Sequence, residues 1–366
     1  PQPGRPREAG KPSERKTGEL EMINLTRRQT LIGAGALGAA GLLGLPARAQ
    51  DKTLIVPTLG GVWEQFWRET IAPAFEKATG AKVTLDVGNG RVFGANLRAA
   101  GVDKPPYSVL MTNEVFASAL RKEGFFEKLD LSKVPNYNDL YEVAKMGDGF
   151  GGLGAISPIG IGYRTDLVKT PPKAWKDLWT NPEFKGKIGL YNFANSAGKM
   201  ELLLASKIFG KDQYDVDAGF KALAGLGQVV QVDFNLSTAL SAGEIVVAPY
   251  DFGEITRLRK QGLPVDCVIP EEGMLMFDQT VSILAHGPEK DLGYQYLNFL
   301  ISPEIQDLMM RQFYTSPSNS KVVVPADLNQ DIPVSGEAMN NILKWDWNFV
   351  NEHQAELADR WAKTII

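Results

Sequence analysis

The chain has 366 residues, with 39 Lys+Arg against 43 Asp+Glu, and its net charge of −4 gives no support to charge-driven partners such as nucleic acid or an anionic membrane surface. A single cysteine, Cys267, excludes an internal disulfide. With only two histidines, His286 and His353, there is no Cys/His set for a zinc centre or a thiol nucleophile, so neither metal nor cofactor is expected.

Residues 1–21 are rich in Pro, Lys and Glu and lack any apolar period, so they read as a disordered leader or as an extension upstream of a start at Met22. Arg27 and Arg28 then precede an apolar run from Leu31 to Leu45, followed by Ala47-Arg48-Ala49. The run is about fifteen residues, short of the roughly twenty that span a bilayer, and the small residues suit a signal peptidase. The expectation is an exported, periplasmic protein whose signal peptide is cleaved after Ala49. Thr26-Arg27-Arg28-Gln29 resembles a twin-arginine signal, with general secretion as the alternative. Residues 1–49 carry eight basic and four acidic residues, so the remaining 317 have a net charge of about −8. That length most simply makes two lobes.

Short β-rich runs then alternate with amphipathic stretches, the pattern of α/β architecture with a mainly parallel sheet. Thr53–Pro57 reads as a strand, Gly60-Gly61 as a turn, and Trp63–Ala78 as a helix burying Trp67, Ile71, Ala74 and Phe75. Lys82–Asp86 is a strand, Val92–Ala100 a helix, Ser108–Met111 a strand and Glu114–Lys122 a helix. The glycine-rich stretch from Gly147 to Tyr163 interrupts regular structure and reads as a crossover or hinge. It lacks the Gly-Lys-Ser/Thr ending of a phosphate loop and the spacing of a dinucleotide fingerprint. Further strands are expected at Ile188–Tyr191, at Val246–Phe252, and in the apolar run Pro264–Ile269 around Cys267.

Several segments, in this order and spacing, resemble the extracellular solute-binding proteins of bacterial ABC importers, in the branch of the spermidine/putrescine receptors. They are Gly60-Gly61-Val62-Trp63, Arg121–Phe126 before Leu129-Asp130, Gly160–Val168, Trp175–Trp179 with Phe184–Ile188, and Tyr296–Glu304. The resemblance covers nearly all of the chain after residue 49. It implies a type II periplasmic-binding-protein fold, with two α/β lobes joined by a hinge of two chain crossings and a ligand cleft between them. The boundaries expected are 50–155 plus 276–366 for lobe 1 and 156–275 for lobe 2. The resemblance also implies a small-molecule ligand, a separately encoded membrane permease as partner, and a monomer.

Ligands of open α/β sheets bind beyond the carboxyl ends of strands. Five such places supply candidates. At Gly61 and Trp63, glycine lets backbone N–H groups approach a ligand, and Trp63 either stacks on an amine or belongs to the core. Asn113 and Glu114 follow a strand, although Glu114 equally serves as a helix-start carboxylate. Ser196 reads as the N-cap of the next helix and as an anion contact. Tyr250 and Asp251 end a strand, and the resemblance places Tyr250 at a cleft aromatic. Phe277 and Asp278 resemble the receptor segment in which an aromatic precedes a carboxylate that grips an amine; a buried Asp278 requires a cationic partner. Met276 stands where polyamine receptors have an aromatic, which favours a smaller amine such as an amino acid or a γ-aminobutyrate-like zwitterion. Arg91, Arg257 and the helix start at Ser196 are candidates for its carboxylate. Tyr314 lies in a segment that resembles the family's return loop to the cleft rim, and the absence of a Tyr-Tyr pair argues against iron.

The alternatives are the same receptor fold binding an anion or a sugar, or a secreted hydrolase built on a carboxylate pair of Asp251 and Asp278. No G-x-S-x-G elbow is present, and His286 sits in an Ala-His-Gly-Pro turn, so a serine triad is not expected and no catalytic residue is assigned. The tail from Leu328 to Ile366, with Trp345, Trp347 and Trp361, is expected to pack on the first lobe, with dimerisation as the alternative.

Overall fold

A computed structural model describes residues 52–227 and 229–365; the leader, the signal segment and the cleavage site lie outside the described residues. Among the described residues no helix is long and apolar enough to cross a membrane. Strands β1 (Thr53–Leu59) and β2 (Lys82–Gly88) pair in parallel. They are joined by helices α1 (Val62–Phe66) and α2 (Ala72–Thr79), which run on through a π-helical turn at Trp67–Ile71. That turn buries Trp67, whose indole N–H donates to the Tyr296 hydroxyl at 2.7 Å. Helix α3 (Gly90–Ala100), strand β3 (Val109–Thr112) and helix α4 (Glu114–Lys122) follow, then the short β4 (Lys145–Met146).

The glycine-rich stretch breaks regular structure only at its start, where Gly147 and Gly149 turn the chain at positive φ. It forms β5 (Gly151–Arg164), the longest strand described. Its glycines are there for close packing: a Cβ on Gly162 would lie 2.6 Å from the Cβ of Tyr250, and one on Gly160 would collide with the Val268 carbonyl and the Phe252 ring. Beyond it come α5 (Asp177–Thr180), β6 (Ile188–Tyr191), α6 (Ser196–Phe209), α7 (Val216–Ala224), β7 (Val229–Asp233), α8 (Ser237–Ala242), β8 (Val247–Asp251), α9 (Phe252–Lys260) and β9 (Val265–Val268). Strand β10 (Leu275–Ile283) returns, followed by α10 (Lys290–Leu300), α11 (Pro303–Phe313), α12 (Trp347–Glu352) and α13 (Gln354–Thr364).

The sheet is mixed rather than mainly parallel. In the order β3-β10-β5-β8-β6-β7, strands β3, β10, β5 and β8 pair antiparallel, and β6 pairs in parallel with β7 and β8. Strand β5 serves two cores. Leu153, Ala155 and Ile156 belong to one with Leu54, Trp67 and Phe75, whereas Ile159, Ile161 and Tyr163 belong to another with Trp175, Leu203 and Phe220. The paired β5 and β10 therefore carry the chain between two lobes, as a two-crossing hinge requires.

The tail divides: Val334, Met339 and Ile342 pack in the first core as expected, whereas its two helices depart from that place. Trp347, Val350, Leu357 and Trp361 are buried in the second core. Helix α12 nevertheless also rests on α4, where the Asn351 amide donates to the Val115 carbonyl at 2.9 Å and to Ser118 Oγ at 3.0 Å. Helix α13 holds the second lobe through Arg360 to Asp217 at 2.6 Å and through Trp361 against Phe193. Trp347 and Trp361 leave water by burying their rings in the second core.

Candidate functional site

The carboxyl ends of β1, β2, β3, β6, β7 and β8 open on one cleft of about 810 Å³, and α3, α4, α6 and α9 are among the helices that start there. After β2, the Asn89 side chain accepts from Arg91 and Val92 N–H and starts α3; after β3, Asn113 starts α4. After β6, Asn195 accepts from Ala197 N–H and starts α6, so Asn195 is the cap and Ser196 the first helical residue, one position from expectation. After β8, Asp251 accepts from Glu254 N–H at 2.8 Å and starts α9. Converging N-termini place partial positive charge and free N–H groups around the cleft.

Of the ten expected site residues, Trp63, Asn113, Ser196, Tyr250, Asp251 and Phe277 line this cleft. Trp63 is half-buried and stacks on Phe313 with ring centroids 4.6 Å apart, so it is wall rather than core. Gly61, at φ 68°, is exposed and turns the chain into α1, one residue before the cleft-lining Val62. Tyr314 is in the left-handed region at φ 55° and lies under the Lys260 ammonium, beside the cleft residues Phe313 and Thr315.

Asp278 and Glu114 face the other way. Successive strand side chains point to opposite faces, so Phe277 and Gln279 enter the cleft while Met276 and Asp278 line a separate cavity of about 250 Å³. The Asp278 carboxylate, 2 % exposed, accepts from Glu114 N–H at 2.9 Å. Burial, reinforced by Glu114, raises its pKa to about 7. Glu114 in turn is held by Arg121 at 2.5 Å and by Thr280 Oγ1 at 2.9 Å. Two consequences follow. Asp251 and Asp278 line different cavities, which removes the carboxylate pair the hydrolase alternative needs. Met276 does not touch the cleft, so its identity says nothing about a cleft aromatic box.

The cleft contains aromatics that strand-end reasoning passed over: Tyr191, Phe116, Phe234 and Phe313. Tyr191 ends β6 and Gln279 sits two residues beyond Phe277 on the same face, so both were available to the same rule. The buried Gln279 Oε1 and Tyr250 Oη have no hydrogen-bond partner among the described residues, leaving polar atoms in the cleft wall for a ligand to satisfy. Glu254 and Arg257, both lining the cleft, pair with each other. Asp251 and Arg91 line it without an ion-pair partner among the described residues. Asp251 is half-buried, and burial is the main cause that raises its pKa to about 6.

A family model described as bacterial extracellular solute-binding protein matches residues 70–334. The spermidine/putrescine-binding periplasmic protein of Escherichia coli (strain K12) is 26 % identical over 292 residues, covering 75 % of this chain and 79 % of that relative. The gamma-aminobutyric acid-binding protein of Pseudomonas aeruginosa is 24 % identical over 339 residues, covering 86 % and 91 %. Among solved structures, an ABC transporter protein from Clostridium perfringens superposes with a TM-score of 0.76 at 27 % identity, covering 86 % of this chain and 100 % of that one. A GABA receptor superposes with a TM-score of 0.72 at 20 % identity, covering 86 % and 98 %.

Proposed function

The chain belongs to the bacterial extracellular solute-binding proteins, the capture components of ABC importers, and from that premise we propose that its cleft takes a small zwitterionic amine such as an ω-amino acid. One observation carries this reading. Asp251 and Arg91 both line the cleft unpaired, so a ligand with one ammonium and one carboxylate neutralises both, whereas a sugar neutralises neither. The helix N-termini of α3 and α6 reinforce the carboxylate side. Trp63, Phe277 and Tyr250 supply faces for the methylene chain and the ammonium. The gamma-aminobutyric acid-binding relative is consistent with this.

A second reading, a polyamine, is favoured by the number of aromatic rings in the cleft and by the spermidine/putrescine-binding relatives. It ranks lower because a dication meets Arg91 and the positive ends of the helices. In this reading the protein acts in the periplasm after cleavage at Ala49, as a monomer without catalytic activity. The permease receives the closed form. Lobe 1 comprises 50–155 with the returning chain from 276, and lobe 2 comprises 156–275 with the helices α12 and α13 laid against it.

Isothermal titration of residues 50–366 with γ-aminobutyrate, putrescine and glucose tests the proposal. Binding of γ-aminobutyrate that Asp251→Asn and Arg91→Ala each weaken is expected. Binding of putrescine alone, unaffected by Arg91→Ala, selects the second reading, and binding of glucose alone discards both.

A further inference from the structure

A second large cavity, about 660 Å³, lies between α4, α6 and α13. Its walls are mostly apolar and include Val115, Phe116, Ala358, Trp361 and Ile365. Three cations, Arg91, Arg98 and Lys199, line it, and no acidic side chain does among the described residues. That bias stands out in a chain with more acidic than basic residues.

Lys199 is the unusual member. It is only 6 % exposed, and its ammonium donates to the Phe193 carbonyl at 2.6 Å and sits 4.9 Å from the Phe193 ring centroid. No carboxylate pairs with it among the described residues. It occupies the first turn of α6, where the helix dipole disfavours a cation. Burial, and then the charge of Arg91, lower its pKa to about 8. A buried ammonium with neither a counter-ion nor a favourable dipole is costly unless something else supplies the negative charge.

We propose that this cavity, which adjoins the interlobe cleft and shares Arg91, Phe116 and Ala194 with its lining, is a second binding site for a small apolar monocarboxylate whose carboxylate pairs with Lys199 and whose hydrocarbon lies against Phe116 and Trp361. The cavity volume accommodates a medium-chain acid; among its polar residues Asn192, Asn351 and Gln354 are neutral and Arg98 is already held by Glu123 at 2.7 Å, so Lys199 and Arg91 are the charges that select an anion over a neutral or cationic amphiphile.

Octanoate is the probe and octan-1-ol the neutral control, titrated calorimetrically into residues 50–366 at pH 8. Octanoate is expected to bind at least tenfold more tightly than octanol, with proton uptake visible as a heat that depends on buffer ionisation. Lys199→Met, which replaces a buried charge by an apolar chain of similar length and should fold, is expected to lower octanoate affinity at least tenfold and abolish the proton uptake. Ala358→Trp, which adds a large side chain to the cavity wall contributed by α13 and leaves Lys199 in the sequence, is expected to block binding as well. No octanoate binding at millimolar concentration, equal binding of octanol, or binding that survives both substitutions overturns the proposal. So does binding lost in Trp63→Ala and kept in Lys199→Met, which places octanoate in the cleft.

Discussion

Asp251 does two jobs with one carboxylate: it caps α9 and faces the cleft. Asparagine caps as well as aspartate, so Asp251→Asn removes the charge and keeps the helix start. A hydrogen bond to a charged group is worth about 1.5–3 kcal/mol, so the substitution should weaken amine binding about ten- to a hundredfold in a titration, with the melting temperature nearly unchanged. The pH dependence has a definite sign. The ammonium needs the ionised carboxylate, and the free Asp251 titrates at about 6, so affinity should fall as pH drops from 7 to 5 and stay flat in Asp251→Asn. Asp278 behaves oppositely because it contributes to folding stability rather than binding. Its folded pKa of about 7 lies above the ordinary value of 3.8, so the folded state holds a proton the unfolded state has lost between these values. Stability from this group is present below about 4 and is lost as pH rises to about 7. Asp278→Asn should therefore gain stability relative to the parent between pH 4 and pH 7, measured by denaturant melts, and leave ligand affinity nearly unchanged.

Among the elements, α4 runs from Glu114 to Lys122 in the structure as the apolar pattern alone requires, because a helix between a strand and a glycine has clear ends. Strand β5 was illegible for the opposite reason. Glycine is read locally as a break, yet here it answers to partners distant in sequence, the Tyr250 side chain and the Val268 carbonyl. Gly160→Ala should cost about 1–3 kcal/mol by overpacking, seen as a lowered melting temperature. The site divides the same way. Trp63, Asn113, Tyr250 and Asp251 followed from where strands end, and Phe277 from the resemblance to the receptor segment. The orientation of Asp278 did not, because a carboxylate beside an aromatic looks the same from either face of a strand until its partner strands and its register shift at Gln279/Thr280 are known.

For the whole molecule, the tail adds a third tie between the lobes besides β5 and β10, since α12 binds α4 while α13 binds the second core. Removing residues 354–366 takes away Leu357 and Trp361, each a buried side chain worth about 1.5–3 kcal/mol. The truncated protein should melt several degrees lower. If the tie restrains opening, its radius of gyration without ligand should also exceed that of the full chain in X-ray scattering.

The sheet order β3-β10-β5 puts the last strand of the chain between two that precede it by more than a hundred residues. Assembly is thereby forced into a particular sequence in time. The segment from β6 to β9 can collapse on local contacts, but β3 and β5 must wait apart until residues 275–283 arrive to join them. Strand β5 can meanwhile pair with β8 and β9, but closing the long loop back to β3 is slow, and it leaves one edge each of β3 and β5 bare in the interim. A fragment ending at Arg164 thus has no central strand and should remain unfolded by circular dichroism, while the whole chain refolds in a rate-limiting step that waits on its final third.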